Sequence, residues 1–104
     1  MKSKSQGNVI PMNSQPIDSE NVYDYVRSHL KFPITDEQWD VIDAAMDHYW
    51  NSHHPGATIS SEENAAIIYD HCVKERMLIS YDRIIEITNV IWEYLVENGF
   101  LIKY

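Results

Sequence analysis

Residues 80–99, SYDRIIEITNVIWEYLVENG, decide the fold class of this chain. At helical spacing they form one stripe, made of Tyr81, Ile84, Thr88, Ile91, Trp92 and Leu95. Five more apolar residues widen this stripe almost to the whole circumference: Ile85, Ile87, Val90, Tyr94 and Val96. The remaining polar line consists of Glu86, Asn89, Glu93 and Glu97. A helix this apolar is typical of the centre of a bundle or of an oligomer interface.

Three shorter helices are predicted before it. The first covers residues 19–31, where Val22, Val26 and Leu30 recur on one side. Pro33 ends this helix, because the residue before a proline is pushed out of helical conformation.

Polar caps mark the starts of the next two helices. Thr35 stands three residues before Gln38, the spacing of a capping box in which each side chain binds the other residue's backbone. Ser60 stands in the same relation to Glu63, so the third helix is expected to begin at Ser60 or Ser61. These spacings set the helix starts without any tertiary information.

The expected architecture is all-α, a small four-helix domain. The chain has 104 residues with only 3 Gly and 4 Pro, which disfavours a turn-rich β-sandwich or barrel. Residues 1–17 are rich in Ser, Asn, Gln and Pro and are predicted to form a flexible N-terminal arm. Residues 18–104 are predicted to form an acidic helical domain that ends in a short docked C-terminal tail, FLIKY.

The charge is unevenly distributed along the chain. The net charge is −8, but residues 1–17 contain Lys2 and Lys4 and no acid, whereas residues 18–104 contain all 16 acids. Between Lys31 and Lys74 there is no Lys or Arg, and eight acids lie in this interval. Such a surface repels phosphate and attracts basic proteins, so direct binding to nucleic acid or to an anionic membrane is disfavoured.

Residues 35–54, TDEQWDVIDAAMDHYWNSHH, contain a stripe of four aspartates. With Trp39 at zero on a helical wheel, the aspartates fall at about 40–100° and the apolar residues centre near about 320°. The stripe therefore borders one side of the apolar face. Each like-charged pair at i, i+4 costs about 0.2–0.5 kcal/mol, which a basic partner would offset.

We therefore predict a surface for a basic partner on and near the second helix. Its predicted residues are Asp36, Glu37, Trp39, Asp40, Asp43, Asp47, Trp50, Glu62 and Glu63. Acidic and aromatic groups together supply charge steering and aromatic burial. The alternative is a solvated acidic face, or acids bridged to Arg76 or Arg83 of a neighbouring helix.

The predicted function is that of a non-enzymatic acidic protein-binding module. In charge and size the chain is similar to the phage-encoded DNA-mimic proteins, which include antirestriction and anti-CRISPR inhibitors. This resemblance implies an inhibitor that occupies the nucleic-acid-binding surface of its target. Four charges over about 16 Å of helix are sparser than those of duplex DNA, so Glu62 and Glu63 or a second subunit would have to add to them. The alternative is a structural subunit that oligomerises through the fourth helix.

Catalysis, cofactor binding and metal binding find little support in the sequence. The histidines 48, 53, 54 and 71 and the single cysteine, Cys72, are groups that bind transition metals. Their spacing matches neither H-E-x-x-H nor a pair of C-x-x-C motifs, which leaves a metal-binding helical protein as a minor alternative. Cys72 falls on the apolar face with Ile68 and is predicted to be a core residue.

The passage YLVENGFLIKY, residues 94–104, resembles the helix-to-wing passage of winged-helix domains. That family implies two short helices before this passage and a basic recognition helix. Here one long helix carries Glu86, Glu93 and Glu97 instead, so DNA binding is not the predicted function.

No apolar run is long enough for a membrane span or a signal peptide, and cytoplasmic residence is expected.

Overall fold

The computed structural model describes residues 8–12 and 16–103. Within these residues the elements follow in the order β1 (Asn8–Val9), α1 (Ser19–His29), α2 (Asp36–Asn51), β2 (Thr58–Ile59), α3 (Ser61–Lys74), α4 (Tyr81–Glu97) and β3 (Ile102–Lys103). Of the described residues, 63% are helical and 5% are in strands, which confirms the predicted all-α class.

The helix starts follow the polar caps. In the capping box of α2, the Thr35 backbone N–H donates to Gln38 Oε1 at 2.9 Å, and the Gln38 N–H donates to Thr35 Oγ1 at 3.0 Å. At α3, the Ser60 hydroxyl accepts from the Glu63 N–H at 3.4 Å, but the Glu63 carboxylate accepts from the Tyr49 hydroxyl at 2.7 Å. The predicted second capping box is therefore only half formed, because a tertiary contact takes its acid.

Helix α4 is the central element of the bundle, which is one of the two positions that its apolar sequence predicts; the other is an oligomer interface. It packs against α1 on one side and α3 on the other, and α2 packs against α3. Its buried residues are Ile84, Ile87, Thr88, Val90, Ile91, Trp92 and Leu95. The helix ends where the Asn98-Gly99 pair predicts, since Gly99 has a φ of +79° and Phe100 donates its N–H to the Leu95 carbonyl at 2.8 Å.

A small antiparallel sheet, which the sequence did not predict, joins the two ends of the described chain. Strand β1 lies between β2 and β3, and Asn8 is the register partner of both Ile59 and Lys103. Ile10 follows β1 and is only 2% exposed, and Leu101 before β3 is equally buried. The predicted docked tail is therefore in place. Its strand pairs with β1, so the passage after α4 does not continue into a hairpin of its own.

The sheet also changes the description of the predicted N-terminal arm. Residues 8–10 belong to the sheet and the core, so this part of the predicted arm is docked on the helical domain. A two-residue strand carries no periodicity, and its partners lie far away in the chain, which is why the sequence did not show it. Residues 1–7 and 13–15 lie outside the described residues, and their flexibility stays a prediction.

Candidate partner-binding surface

Helix α1 lies along the aspartate stripe of α2. The Ser19 hydroxyl donates to Asp43 Oδ2 at 3.0 Å, and the Tyr23 hydroxyl donates to Asp36 Oδ1 at 2.8 Å. The later residue of α1 contacts the earlier residue of α2, so the two helices are antiparallel here. The first turn of α1 therefore lies beside Asp43. We call the surface that the aspartate stripe forms the acidic face; its residues are Asp36, Asp40, Asp43 and Asp47.

At the Asp36 end of the acidic face, α1 supplies both a donor and a base. The Tyr23 ring stacks on Trp39 with 4.8 Å between ring centroids and 4° between planes. The Arg27 guanidinium lies 4.3 Å from the Tyr23 centroid and pairs with Asp24 at 2.6 Å. Its hydrogen bond to Asp24 raises the pKa of Arg27, and the charge of Asp36 acts in the same direction. The negative charge of Asp36 is thus partly balanced within the chain.

Trp39 itself does not border the partner surface. It is 4% exposed and belongs to the core, because Tyr23 from α1 covers it. Its place in the predicted surface is corrected accordingly: Trp39 positions Tyr23 and is not a contact residue. Glu37 and Asp40 are exposed, as predicted, and Trp50 is half-buried at the opposite end of the helix.

At the Asp43 end, the neighbouring charges are all negative. Burial raises the pKa of Asp43, the hydrogen bond from Ser19 lowers it, and the charges of Asp47 and Asp40 raise it further. Among the residues that the structure describes, the ion pairs are Arg27–Asp24 and Lys74–Asp70, so no Lys or Arg pairs with the stripe.

The predicted alternative of acids bridged to Arg76 or Arg83 is therefore not formed within the described chain. Arg83 lies over the Phe32 ring instead, 4.5 Å from its centroid. Among the described residues, no Lys or Arg of α3 or α4 forms an ion pair with the stripe.

A pocket of about 190 Å³ opens at this unbalanced end, between the N-terminus of α1 and the last turns of α2. We call it the Trp50 pocket; its lining residues are Ile17, Ser19, Val22, Asp43, Met46, Asp47 and Trp50. Three of these side chains are aliphatic or thioether groups, two are carboxylates and one is an indole. Lysine and arginine combine an apolar stem with a cationic head, and a site of this composition matches both parts.

Glu63 bonds within the chain and does not extend the acidic face, whereas Glu62 is exposed and its contact with a partner stays a prediction. The Glu63 carboxylate accepts from the Tyr49 hydroxyl at 2.7 Å, and burial, with that bond, raises the pKa of Tyr49 to about 12. On the wheel of α2, Tyr49 lies at about 280° and the aspartates at about 40–100°, on opposite sides of the core direction. Glu63 therefore approaches α2 from the other flank, away from the stripe. The sequence did not show that α1 lies beside the stripe.

The remaining candidate groups do not come together into a metal or catalytic site in the described chain. The rings of His48 and His71 are 6.3 Å apart, and no three His, Cys, Asp or Glu side chains among the described residues are placed to share a metal ion. Cys72 is buried, as predicted, and burial raises the pKa of its thiol, which disfavours the nucleophilic thiolate. None of the described helices has both the length and the hydrophobicity of a transmembrane span.

Comparison with known proteins finds no matching family model, no matching curated protein and no matching solved structure. The function of the chain is therefore inferred from the geometry and the charge of its surface.

Proposed function

We propose that this chain is a non-enzymatic protein-binding module, acting in the cytoplasm, whose acidic face contacts a basic surface of another protein. One observation supports this proposal above the others. The charges that act on Asp43 are those of Asp47 and Asp40, and Asp43, Asp47 and Trp50 line a pocket of mixed polar and apolar character.

The pocket suggests how a basic side chain is held. The alkyl stem of a lysine or arginine packs against Val22 and Met46, and its charged head reaches the carboxylates of Asp43 and Asp47. Trp50 adds a cation–π contact, worth about 0.5–1 kcal/mol at a partly exposed position. A cation in this place stabilises the ionised carboxylate of Asp43, which burial and the charges of Asp47 and Asp40 destabilise in the free protein. Binding of the partner therefore relieves an unfavourable electrostatic interaction.

The partner class that we propose is a nucleic-acid-binding protein. The four aspartates of α2 follow one another over about 16 Å. Carboxylates in one line resemble a short run of phosphates, although at a lower charge density than duplex DNA. The chain would then act as an inhibitor of the DNA-mimic type, as in phage and mobile elements, by occupying the nucleic-acid-binding surface of its target.

The experiment is quantitative affinity capture from a bacterial lysate with three baits of known folding. The wild-type chain is compared with Asp43→Asn/Asp47→Asn and with Asp36→Asn/Glu37→Gln, which removes the same two charges at the other end of α2. We expect basic nucleic-acid-binding proteins on the wild type and on the Asp36/Glu37 variant, depleted about tenfold or more on the Asp43/Asp47 variant. A short DNA duplex is expected to displace the captured protein, and raised salt to weaken the binding.

The proposal is overturned if the captured proteins are the same on all three baits. It is also overturned if binding is insensitive to salt, since contacts between exposed charges are screened. If capture depends on Asp43 and Asp47 but duplex DNA does not compete, the protein-binding module stands and the DNA-mimic version is wrong.

One observation favours the structural alternative, assembly of several copies. Tyr69 and Val73 of α3 and Tyr81 and Ile85 of α4 are exposed, and the rings of Tyr69 and Tyr81 are 5.2 Å apart. This apolar patch is the place to test on α4, because other apolar residues of the helix, such as Ile87, are fully buried within the chain. If light scattering shows an oligomer that Val73→Glu/Ile85→Glu converts to a folded monomer, assembly through this patch is supported; a wild-type monomer contradicts it.

A further inference from the structure

Helix α3 exposes a line of residues with the spacing of a coiled-coil seam. Its members are separated by four, three, four and three residues along the chain, and all of them are exposed: Glu62, Ala66, Tyr69, Val73 and Arg76. Alternating steps of four and three residues place side chains along the line on which two helices of a coiled coil meet. We call this line the α3 seam. Its outer face is open to a further helix.

Apolar residues of α4 and of the turn before it widen the α3 seam. Tyr81 and Ile85 of α4 are exposed, and the rings of Tyr69 and Tyr81 are 5.2 Å apart. Leu78, in the turn between α3 and α4, is 93% exposed. With Tyr69 and Val73, these make five of the seven exposed large apolar residues of the described chain. Exposed apolar residues that are concentrated in one place mark an interaction surface.

The two ends of this surface have complementary shapes. At one end, a pocket of about 210 Å³ opens between the helices; it is lined by Ser61, Glu62, Ala65, Tyr81, Ile85 and Asn89. At the other end, Leu78 projects into solvent, since Met77 and Ile79 on either side of it pack against the core. A projecting side chain and a pocket at opposite ends of one face can fit a second copy that is turned end for end.

The two ends of the α3 seam also carry opposite charges. Glu62 and Arg76 each stand seven residues from Tyr69 along the chain. The ion pairs of the described residues involve other side chains, so neither Glu62 nor Arg76 has a partner of this kind there. A two-fold axis at Tyr69 brings each of them beside the other in a second copy. A parallel arrangement would instead place acid against acid and base against base, so the charges select the antiparallel one.

We propose that two copies of this chain pair through the α3 seam, with the two α3 helices antiparallel and the two-fold axis at Tyr69. Leu78 of each copy enters the pocket of the other, and Glu62 pairs with Arg76 at both ends of the interface. The α3–α4 hairpins of the two copies form a four-helix bundle. This dimer gives a geometry to the assembly alternative above. It shares no residue with the Trp50 pocket and is independent of the proposed basic partner.

The test reverses the charges at the ends of the α3 seam and measures the dimer by sedimentation equilibrium. Glu62→Arg places two bases against each other and Arg76→Glu two acids, so we expect each variant to weaken the dimer by about tenfold or more. Glu62→Arg/Arg76→Glu restores both pairs at the net charge of the wild type, and we expect its affinity within about threefold of the wild-type value. An equimolar mixture of the two single variants also restores both pairs and is expected to form a heterodimer.

Glu20→Arg is the matched control, because Glu20 is the exposed second residue of α1 as Glu62 is of α3. It makes the same change of charge away from the α3 seam and is expected to leave the dimer unchanged. Thermal unfolding establishes that every variant is folded. The proposal is overturned if the wild type sediments as a monomer, if Glu62→Arg weakens the dimer no more than Glu20→Arg, or if the double variant does not restore it. None of these results affects the capture experiment on Asp43 and Asp47.

Discussion

The two ends of the acidic face contain the same kind of residue in different surroundings. At one end, Asp36 accepts a hydrogen bond from Tyr23, lies at the N-terminus of α2, and is reached by the charge of Arg27. At the other end, Asp43 and Asp47 have negative neighbours and border the Trp50 pocket. A stripe that looks uniform in the sequence thus has a cation near one end and only carboxylates near the other.

The largest expected difference between the two ends of α2 is the loss of stability when the tryptophan at each end is replaced. Trp39→Ala removes a core side chain that stacks on Tyr23, and we expect it to lower the free energy of unfolding by about 3–5 kcal/mol. Trp50→Ala removes a half-buried ring at the pocket and is expected to cost less than about half as much. Urea denaturation of both variants measures the difference. Equal losses would show that Trp50 is as structural as Trp39.

Glu63 offers the next test, since its role differs from that of the stripe. Glu63→Gln weakens a hydrogen bond to the Tyr49 hydroxyl, and we expect a loss of about 1 kcal/mol in the free energy of unfolding. The raised pKa of Tyr49, about 12, means that the contribution of this hydroxyl to stability is present below its ordinary value of 10.0 and is lost as the pH rises through about 12. Capture of a basic partner should not change. A variant that folds normally but loses the partner would return Glu63 to the binding surface.

A buried polar group gives a comparison of similar size inside the core. Asn64 in α3 is 0% exposed, and its side-chain Nδ2 and Oδ1 have no hydrogen-bond partner among the described residues. Unlike Asp43, Asn64 is inaccessible to a partner protein. Binding therefore cannot offset the free-energy cost of its unpaired amide. We expect Asn64→Ala to raise the free energy of unfolding by about 1 kcal/mol, since it removes the unpaired amide and improves helix propensity. A destabilised variant in urea denaturation would show that the amide is needed.

The aspartates themselves should respond with opposite signs. Asp36→Asn removes a charge that the helix N-terminus favours and should cost about 0.5 kcal/mol at neutral pH. Asp43→Asn removes a charge whose pKa is raised in the folded state, and its amide oxygen can still accept from Ser19. We expect it to stabilise the chain by at most about 0.5 kcal/mol, because the carboxyl is only half-buried and water screens its neighbours.

The pH dependence checks the sign for Asp43. A carboxyl whose pKa is raised in the folded state favours folding only while it is protonated. This contribution to the free energy of unfolding is fully present below the ordinary pKa and is lost as the pH rises through the folded value. The advantage of Asp43→Asn should therefore disappear as the pH falls towards 3.8, the ordinary aspartate value. Stability curves that stay parallel down to that pH would contradict this assignment.

The smallest stability effect comes from placing a base at the unbalanced end. Ala44 is exposed on α2, and Ala44→Lys puts a cation four residues after Asp40. The new pair contributes about 0.3–0.5 kcal/mol and offsets the slightly lower helix propensity of lysine, so the melting temperature should hardly change. Partner capture should nevertheless fall. Unchanged capture would show that local charge balance at this end is irrelevant to binding.

Local features of the sequence predicted the helices well, because caps and stops act within a few residues. Thr35 with Gln38 and Asn98 with Gly99 mark helix ends by contacts that the neighbouring sequence alone determines. The apolar pattern of residues 81–97 likewise identified α4 as the centre of the bundle.

The errors concern contacts between distant segments. The stack of Tyr23 on Trp39 placed a predicted surface residue in the core, and the contact between Ser19 and Asp43 brought the first turn of α1 beside the stripe. Strand β1 was not predicted, because two residues show no alternation and their partners come from the middle and the end of the chain. The function of the acidic face itself stays a prediction.

The most direct test of the central claim is calorimetric titration of the chain with a hexa-arginine peptide at low salt. The variants Asp43→Asn/Asp47→Asn and Asp36→Asn/Glu37→Gln have the same net charge and differ only in which end of α2 is neutralised. We predict that the first weakens binding by about tenfold and the second by less than about threefold. Equal weakening by the two variants would contradict the claim, because the peptide would then respond to net charge alone.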